Sequence, residues 1–438
     1  MPKLNGSGFR VRHCPIVILA ILLVGTAAAQ NAVIDWDAIA STTIITNGST
    51  AANVTGTAPG ATTAGGAGIY LAFVHLAMYN AIEAIEGKYQ PYFFSLNAPK
   101  DASKDAAAIA AAHRVLVSYF PDQTALLEPQ FAQSMAAIQD GREKMDGISV
   151  GESAAATLIS MRVNDGRGAN VPYSYPGSPE PGVWVPTPPA FLQPLTPWVG
   201  QMKPLTMTEP SEFLPPGPPD LGSKEWARDY NETKSLGSAT SSLRTPEQTE
   251  VGLFWTEHTA QLYSRTLRQL ATEKQLDLAS SARLFAMLWT GYTDAFIGCM
   301  NAKYAFSFWR PVTAIQNGDI DANPDTLPDP SWTPLGTTPN HPEYPAAHGC
   351  VSGAVASTLT RFFDQDTPLN FAVSSIVTNT SHSFATPRDL EREVFNARIY
   401  AGFHYRHSLR DGFHLGHEVV QQMLKNFFNA RPARLAVD

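Results

Sequence analysis

The sequence contains little cysteine, with three such residues among 438. Cys14 lies in an N-terminal segment that we expect to be removed, so the mature chain keeps Cys299 and Cys350. Two cysteines are too few for a disulfide-rich scaffold. Cys299 precedes Lys303 by four residues and Cys350 follows His348 by two, so they are neighbours if Lys303 and His348 meet. They then form either a disulfide or, as the favoured interpretation, two buried thiols that pack as small apolar groups.

Charge is also sparse, because Asp, Glu, Lys and Arg make up 16% of the chain and its net charge is −8. An acidic protein has no general attraction for nucleic acids, so we expect no nucleic-acid partner. A chain of this length that is 44% apolar can bury a large core. Any cationic site must therefore be local, which favours a small anion as its ligand.

The N terminus has the pattern of a targeting segment. Positive residues precede an apolar run at residues 15–24, and three alanines follow at residues 27–29. This pattern predicts an export signal over residues 1–29 and a secreted or periplasmic mature protein. An uncleaved anchor is the less favoured alternative, because a bilayer span needs about 20 apolar residues. We expect no later segment to cross a membrane.

The chain has no convincing run of alternating apolar and polar residues, which argues against an extensive sheet. Apolar residues instead recur at intervals of three and four, as on one face of a helix. This spacing predicts helices over residues 67–86, 103–118, 123–139, 149–163, 245–272, 278–302, 349–364, 387–402 and 410–428. The sequence therefore predicts a large all-α protein.

Proline is concentrated between residues 165 and 220, which hold 15 of the 34 prolines. Trp184 and Trp198 lie in this stretch and favour an ordered connection over a disordered linker. We therefore divide the chain into four predicted regions. These are the signal peptide (1–29), an N-terminal helical region (30–164), a proline-rich connection (165–225) and a C-terminal helical bundle (226–438).

Three short segments near the end of the chain carry cationic or imidazole groups. The first holds Lys303 and Arg310, the second is a turn with His348, and the third holds Arg398 and His404. Permanent cations bind a tetrahedral oxyanion through charge-assisted hydrogen bonds. A histidine can act as a ligand, a nucleophile or a proton donor. Together the segments predict a pocket for an anion of phosphate size in the C-terminal half.

Helical spacing places two of the cations on apolar faces. The face that leads to Lys303 consists of Leu288, Tyr292, Ala295 and Cys299, and the face around Arg398 consists of Leu390, Val394, Ala397 and Ala401. Arg310 shares the face of Lys303 if that helix continues. A buried cation is costly without a partner. The alternative to an anion is therefore an internal salt bridge, for instance with Asp294 or Glu343.

The turn around His348 predicts a further oxyanion contact. Pro345 ends an extended stretch, and the small residues 346–349 begin a helix. The amides of a first helical turn have no partners within the helix and bind oxyanions directly. His348 could there exchange a proton with a bound oxygen.

The order of these motifs resembles that in the vanadium-dependent haloperoxidases and their relatives, the type 2 phosphatidic acid phosphatase superfamily. The shared motifs are Lys-x6-Arg-Pro, Pro-x-x-His and Arg-x5-His, with further likeness at residues 77–82, 244–248 and 308–311. The resemblance implies two helical bundles, with the active site in the C-terminal one.

The resemblance also implies roles for individual residues. His404 is implied as the only protein ligand of vanadium, and His348 as the group that assists proton transfer. Vanadate is the implied cofactor, and phosphate is expected to occupy the same site. Hydrogen peroxide and a halide are the implied substrates, together with a small organic acceptor. The implied ligands of the vanadate oxygens are Lys303, Arg310, Arg398 and the main-chain amide of Ala347.

Two other functions stay open at this point. A secreted acid phosphatase would use the same pocket, with His404 attacking phosphorus to form a phosphohistidine. A catalytically silent oxyanion-binding protein is the third interpretation, and the absence of a hydroxyl at Ala346 is its best support.

The sequence departs from the family pattern at two positions. Ala346 stands where a serine is common, which removes a hydroxyl donor and predicts oxidation of bromide or iodide rather than chloride. Ser408 stands where an aspartate often follows the third-motif histidine, so the group that orients His404 is open. The stretch 408–411 is interpreted as a capping box for the last helix. His341 and Trp309 are candidates for the pocket wall.

Overall fold

The computed structural model of the chain describes residues 31–47, 58–59, 63–363 and 367–431. Helices dominate these residues, which confirms the all-α prediction. The predicted signal peptide lies outside the described residues and stays a prediction. The predicted division into regions also stays a prediction.

The first group of helices precedes the proline-rich connection. It comprises α1 (Ala32–Ser41), which runs into a π-helical turn (Thr42–Asn47), α2 (Ala64–Glu86), α3 (Lys104–Tyr119), α4 (Thr124–Ala136) and α5 (Arg142–Met161). The second group comprises α6 (Lys224–Gly237), α7 (Pro246–Phe254), α8 (Thr259–Glu273), α9 (Leu278–Phe306), α10 (Pro311–Gln316), α11 (Ala347–Phe362), α12 (Pro387–Tyr400) and α13 (Arg406–Asn426).

Helices α2 and α9 pack together at the centre of the core. Gly65 and Gly68 of α2 leave room for aromatic rings of α9, since a Cβ on Gly65 would lie 1.9 Å from the Phe296 ring. Helix α2 is long and apolar enough to span a membrane by composition, yet 94% of its most apolar window is buried inside the protein. Its apolar character is thus accounted for by the core.

The proline-rich connection packs against the end of α9. The Trp184 amide donates to the Ser307 carbonyl over 2.7 Å, and the Trp184 side chain is fully buried. Trp198 lies in a short 3-10 helix (Pro197–Gln201) and is also buried. Large aromatic side chains therefore fix a segment whose prolines prevent regular helix.

One predicted helix is broken in the structure. The single helix predicted over residues 245–272 was wrong, because α7 ends at Phe254 and α8 begins only at Thr259. His258 caps α8, as its side chain accepts a hydrogen bond from the Gln261 amide. The intervening residues 255–258, called the 255 break below, leave main-chain carbonyls available to other partners.

A short hairpin was missed by the sequence analysis. Strand β1 (Phe371–Ser375) pairs antiparallel with β2 (Thr380–Phe384), and Phe371 lies opposite Phe384. Most of β2 faces solvent and consists of serine, threonine and histidine. The strand therefore lacks the apolar alternation on which strand prediction depends.

Glycines allow α11 and α13 to approach closely at the end of the chain. A Cβ on Gly416 of α13 would lie 2.2 Å from the Cys350 carbonyl oxygen of α11. Main-chain atoms cannot move aside as a flexible side chain can, so this contact fixes the distance between the two helices. The helix that begins beside His348 is thereby held against α13.

We predict that Gly416→Ala destabilises the protein by about 1–3 kcal/mol, because the added methyl group overpacks a main-chain contact. Gly298→Ala is the matched control, since a Cβ on this helical glycine would meet nothing closer than 3.5 Å. The control should be neutral or stabilising by up to about 1 kcal/mol, as alanine favours helix. Chemical denaturation measures both free energies of unfolding. Equal stability of the two variants would contradict the packing argument.

Candidate oxyanion site

Lys303 lies on the inward face of α9 and is fully buried, as predicted. Its ammonium donates to the carbonyl oxygens of Pro342 and Glu343, each over 2.8 Å. Burial lowers the pKa of Lys303 to about 8, and the neighbouring Arg310 acts in the same direction. A lysine held by two neutral carbonyls keeps a positive charge that no adjacent contact cancels.

Arg310 reaches the site by a different route from the one predicted. Helix α9 ends at Phe306 because Ser307 takes a left-handed conformation, with φ of 50°. Arg310 therefore does not continue the face of Lys303 but precedes Pro311, the first residue of α10. Its guanidinium is buried and donates to the carbonyl oxygens of His341 and Phe403, each over 2.9 Å.

Two imidazoles lie beside the Arg310 guanidinium. Its Nη1 lies 3.2 Å from Nε2 of His404, and its Nη2 lies 3.0 Å from Nδ1 of His341. A guanidinium only donates, so Nε2 of His404 carries a lone pair. Nδ1 of His341 also lies 3.0 Å from the Pro342 carbonyl oxygen. Burial and the nearby cations hold the pKa values of both histidines well below the ordinary value of 6.5. His341, a predicted wall residue, thus contacts the site through Arg310.

Glu343 orients His404. Its Oε1 atom lies 2.8 Å from Nδ1 of His404 and also accepts the Tyr405 amide over 3.2 Å. The carboxylate holds the proton on Nδ1, which leaves the Nε2 lone pair of His404 directed at Arg310. A partner of this kind also increases the basicity of the other nitrogen. The group that sequence analysis left open is therefore this buried glutamate.

Ser408 does not have its predicted capping role. The last helix begins at Arg406, and its N-cap residue Tyr405 makes no side-chain cap. The predicted capping box over 408–411 was therefore wrong. Burial raises the pKa of Glu343, and the charges of Lys303 and Arg310 are among the interactions that oppose this rise. Asp411 instead accepts the Tyr344 hydroxyl over 2.7 Å.

Arg398 is carried by α12, whose predicted start is confirmed by a capping box between Thr386 and Asp389. The Arg398 side chain is buried, and its Nη1 donates to the Trp255 carbonyl over 2.8 Å. Its Nε has no hydrogen-bond partner among the described residues. Burial, followed by the charge of Arg310, lowers the pKa of Arg398 to about 9.

His348 lies in the first turn of α11, which begins at Ala347 with Ala346 as its N-cap. Its Nε2 lies 3.0 Å from the same Trp255 carbonyl that binds Arg398. A carbonyl only accepts, so Nε2 carries the proton and Nδ1 carries the lone pair. Ala347 and His348 are partly exposed, so the opening of the site lies here.

The site has an excess of positive charge. Within the described residues its buried cations are Lys303, Arg310 and Arg398, and the carboxylate of Glu343 interacts with the first two. The other proposed partner, Asp294, lies elsewhere and binds the amides of residues 205–207. An unpaired buried charge is unfavourable. A tetrahedral oxyanion would compensate this excess and accept the free Nε–H of Arg398, so the residues present fit such a group.

The two cysteines are free and buried, so the structure contains thiols rather than a disulfide. The Cys299 thiol donates to the Pro345 carbonyl over 3.6 Å. Trp309 packs against Trp226, with ring centroids 5.9 Å apart. Among the described residues, neither the Cys299 thiol nor the Trp309 indole hydrogen-bonds to a side chain of the site. We therefore assign these residues to packing around the site.

The histidines that follow His404 do not form a metal site. His407 pairs with Asp229 over 2.9 Å, whereas His417 pairs with Glu391. No cluster of three potential metal ligands occurs among the described residues.

Comparison with known proteins relates the C-terminal part of the chain to a known domain. Residues 283–430 match the VCPO second helical-bundle domain, and this segment contains all six predicted site residues. The vanadium chloroperoxidase of Curvularia inaequalis is 28% identical over an alignment of 284 positions, which covers 52% of this chain and 46% of that protein. In its C-terminal part this chain is thus similar to the vanadium chloroperoxidases. The matched part spans about half the length of the curated relative.

The vanadium haloperoxidase fold extends over most of the chain. The crystal structure of the first bacterial vanadium-dependent iodoperoxidase superposes with a TM-score of 0.77 at 19% identity, over 92% of this chain and 98% of that one. The holo form of a bacterial vanadium-dependent chloroperoxidase gives a TM-score of 0.66 at 17% identity, over 83% and 93% of the two chains. These likenesses concern the fold.

The pKa of Lys303 predicts how anion binding depends on pH. In the ligand-free protein Lys303 loses its charge as the pH rises through about 8, so affinity for a tetrahedral dianion should fall there. Sulfate keeps its charge over this range and is a suitable probe. Isothermal titration with sulfate from about pH 7 to about pH 9 should show weakening affinity together with proton uptake on binding.

Lys303→Gln is the matched variant for this measurement. It should bind sulfate more weakly at neutral pH, because one cation is absent, and should lose the decline in affinity near pH 8. An unchanged pH profile in this variant would contradict the assignment of the titration to Lys303.

Proposed function

We propose that this chain is a vanadate-dependent haloperoxidase, which uses hydrogen peroxide to oxidise a halide. The observation that carries the proposal is the Nε2 lone pair of His404, which Glu343 orients toward three buried cations whose charge is not balanced. The match of residues 283–430 to the VCPO second helical-bundle domain supports the proposal, as does the likeness to iodoperoxidase and chloroperoxidase structures.

Vanadate is the proposed cofactor, and phosphate is proposed to compete for the same position. His404 would hold the metal through Nε2, since Nδ1 is engaged by Glu343. The oxygens would be held by Lys303, Arg310 and Arg398, together with the amide of Ala347 at the start of α11. When bound, vanadate supplies a Lewis acid that polarises hydrogen peroxide without a change of oxidation state.

His348 is proposed to move the proton. Its Nε2–H is engaged by the Trp255 carbonyl, so the exchangeable position is Nδ1. Burial and the charge of Arg398 keep the pKa of His348 well below 6.5, so the ring is neutral and can accept a proton from incoming peroxide. Its position at the opening of the site suits a group that meets the substrate first.

A phosphatase with a phosphohistidine intermediate is the second candidate. The same oriented lone pair of His404 could attack phosphorus, and the same cations would stabilise the transition-state charge. A silent oxyanion-binding protein is the third candidate, and it predicts affinity without turnover. Assays of the apoprotein with peroxide and bromide, with and without vanadate, beside a phosphate-ester assay, separate all three.

The proposal extends to substrate and location. Ala346 is buried and offers no hydroxyl to the anion, so we propose bromide or iodide rather than chloride as the halide. A small organic acceptor is proposed to receive the oxidised halogen. We also propose export of the mature protein, because a signal pattern is present in residues 1–29.

The two histidines should separate by role. His404→Ala removes the only protein ligand and should abolish vanadate retention after gel filtration, measured by elemental analysis. His348→Ala should retain vanadate but lower halide turnover by about 10²-fold, the scale of a lost proton-transfer group. Equal loss of vanadate in both variants would contradict these roles.

Ala346→Ser tests halide choice. If the added hydroxyl fits the turn, it should donate to an anion oxygen and raise the oxidation rate, most of all with chloride, the halide that is hardest to oxidise. Steady-state rates with iodide, bromide and chloride at fixed peroxide measure this effect. Efficient chloride oxidation by the unmodified protein would show that the missing donor is dispensable.

A further inference from the structure

The Trp255 carbonyl is shared by two groups of the oxyanion site. It accepts Nε2–H of His348 over 3.0 Å and Nη1–H of Arg398 over 2.8 Å. It therefore sets the tautomer of the first group and the direction of the second. A displacement of Trp255 would change both at once, so the groups that hold Trp255 affect the site without touching it.

The Trp255 side chain is anchored away from the site. Its indole N–H donates to Oε1 of Glu393 over 2.9 Å, and the ring is fully buried. Glu393 belongs to α12, the helix that also carries Arg398. The same carboxylate oxygen lies 2.7 Å from Nδ1 of His382 in strand β2.

His382 joins three elements around the 255 break. Besides Glu393, its Nε2 lies 3.0 Å from Oε2 of Glu250 in α7. Its ring stacks on Phe254, the last residue of α7, with centroids 4.0 Å apart and planes 13° from parallel. The His382 ring therefore contacts Phe254, the residue before Trp255. Its Nδ1 contacts Glu393, which also binds the Trp255 indole.

The hairpin that carries His382 is fastened to the same segment. The Ser375 hydroxyl donates to the Phe254 carbonyl over 3.1 Å, and the Ile376 amide donates to Oε2 of Glu257 over 2.8 Å. Arg265 of α8 pairs with the other oxygen of Glu257 over 2.7 Å. The hairpin thus covers the 255 break from Phe254 to Glu257.

We propose that His382, held between Glu250 and Glu393, is a positioning residue for the oxyanion site. It fixes the position of Trp255, and the Trp255 carbonyl in turn fixes the orientation of the His348 and Arg398 side chains. The effect of His382 on catalysis rests on the proposed function. Its effect on the orientation of His348 and Arg398 can be measured on the ligand-free protein.

The charge of His382 makes the bridge between Glu250 and Glu393 dependent on pH. Glu393 and Glu250 are the charged groups that face it, from α12 and α7, and the hydrogen bond to Glu393 is the main cause that raises its pKa above 6.5. The imidazolium therefore bridges both carboxylates at a pH below this raised pKa. As the pH rises through the raised pKa the bridge loses its charge, so its contribution is present below this pKa and declines above it.

The test compares His382→Gln with the unmodified full-length protein. Glutamine removes the titrating charge and can bond only part of the bridge. Sulfate affinity should fall by about tenfold at about pH 6, the scale for loss of an outer partner of a binding group. The ratio of the two dissociation constants should shrink as the pH rises through the raised pKa of His382, because the unmodified protein then loses the charge of this residue.

A second readout does not depend on anion binding. In ¹⁵N-histidine-labelled protein, the ring resonances of His348, assigned with a His348→Gln variant, should shift in His382→Gln at low pH. His417→Gln is the matched control, because His417 also pairs with a glutamate of α12, Glu391, but on the side toward α13. This control should leave both the affinity and the His348 resonances unchanged.

Unchanged His348 resonances in a folded His382→Gln variant would overturn the proposal, whether or not sulfate binds. If that variant does not fold, Glu250→Gln removes one carboxylate of the bridge and carries the same test. A protein that shows the His348 shift and binds sulfate, yet oxidises no halide with vanadate, would refute the proposed function while supporting this inference.

Discussion

The burial of three cations in one site is the constraint on which that site depends. Lys303, Arg310 and Arg398 have pKa values lowered to about 8, 10 and 9 by burial, which shows that their surroundings disfavour the charged forms. Neutral carbonyl oxygens bind several of their N–H groups without cancelling their charge. The fold therefore leaves buried positive charge without a counter-charge at the site, and a bound tetrahedral anion would balance it.

The carbonyls come from places where helices are interrupted. The 255 break provides the acceptor for Arg398, and the extended stretch before α11 provides those for Lys303. A carbonyl inside a helix is already bonded to an amide four residues on. Breaks and loops between helices are thus a requirement of the site, and the close packing of α11 on α13 through Gly416 keeps these loops at a fixed distance.

The sequence predicted the helices and the inward position of Lys303 and Arg398, because a period of 3.6 residues is local information. It did not predict the roles of Glu343 and Trp255. Glu343 meets His404 across 61 positions of chain, and Trp255 acts through a main-chain carbonyl that any residue possesses. The β hairpin was missed for a related reason, since its exposed strand has no apolar pattern. Sequence patterns therefore do not reveal a hydrogen-bond partner that is distant along the chain or that acts through its main chain.

The two histidines differ most in the groups that hold them. His404 donates Nδ1–H to a carboxylate, which increases the electron density at Nε2 and favours a permanent bond from that nitrogen to an electrophilic centre. His348 donates Nε2–H to a neutral carbonyl, which fixes the ring but adds little basicity. Its opposite nitrogen is therefore suited to brief proton exchange at the opening of the site. The proposed roles, His404 as ligand and His348 as proton carrier, are thus explained by the acceptor that each ring contacts and not by the imidazoles themselves.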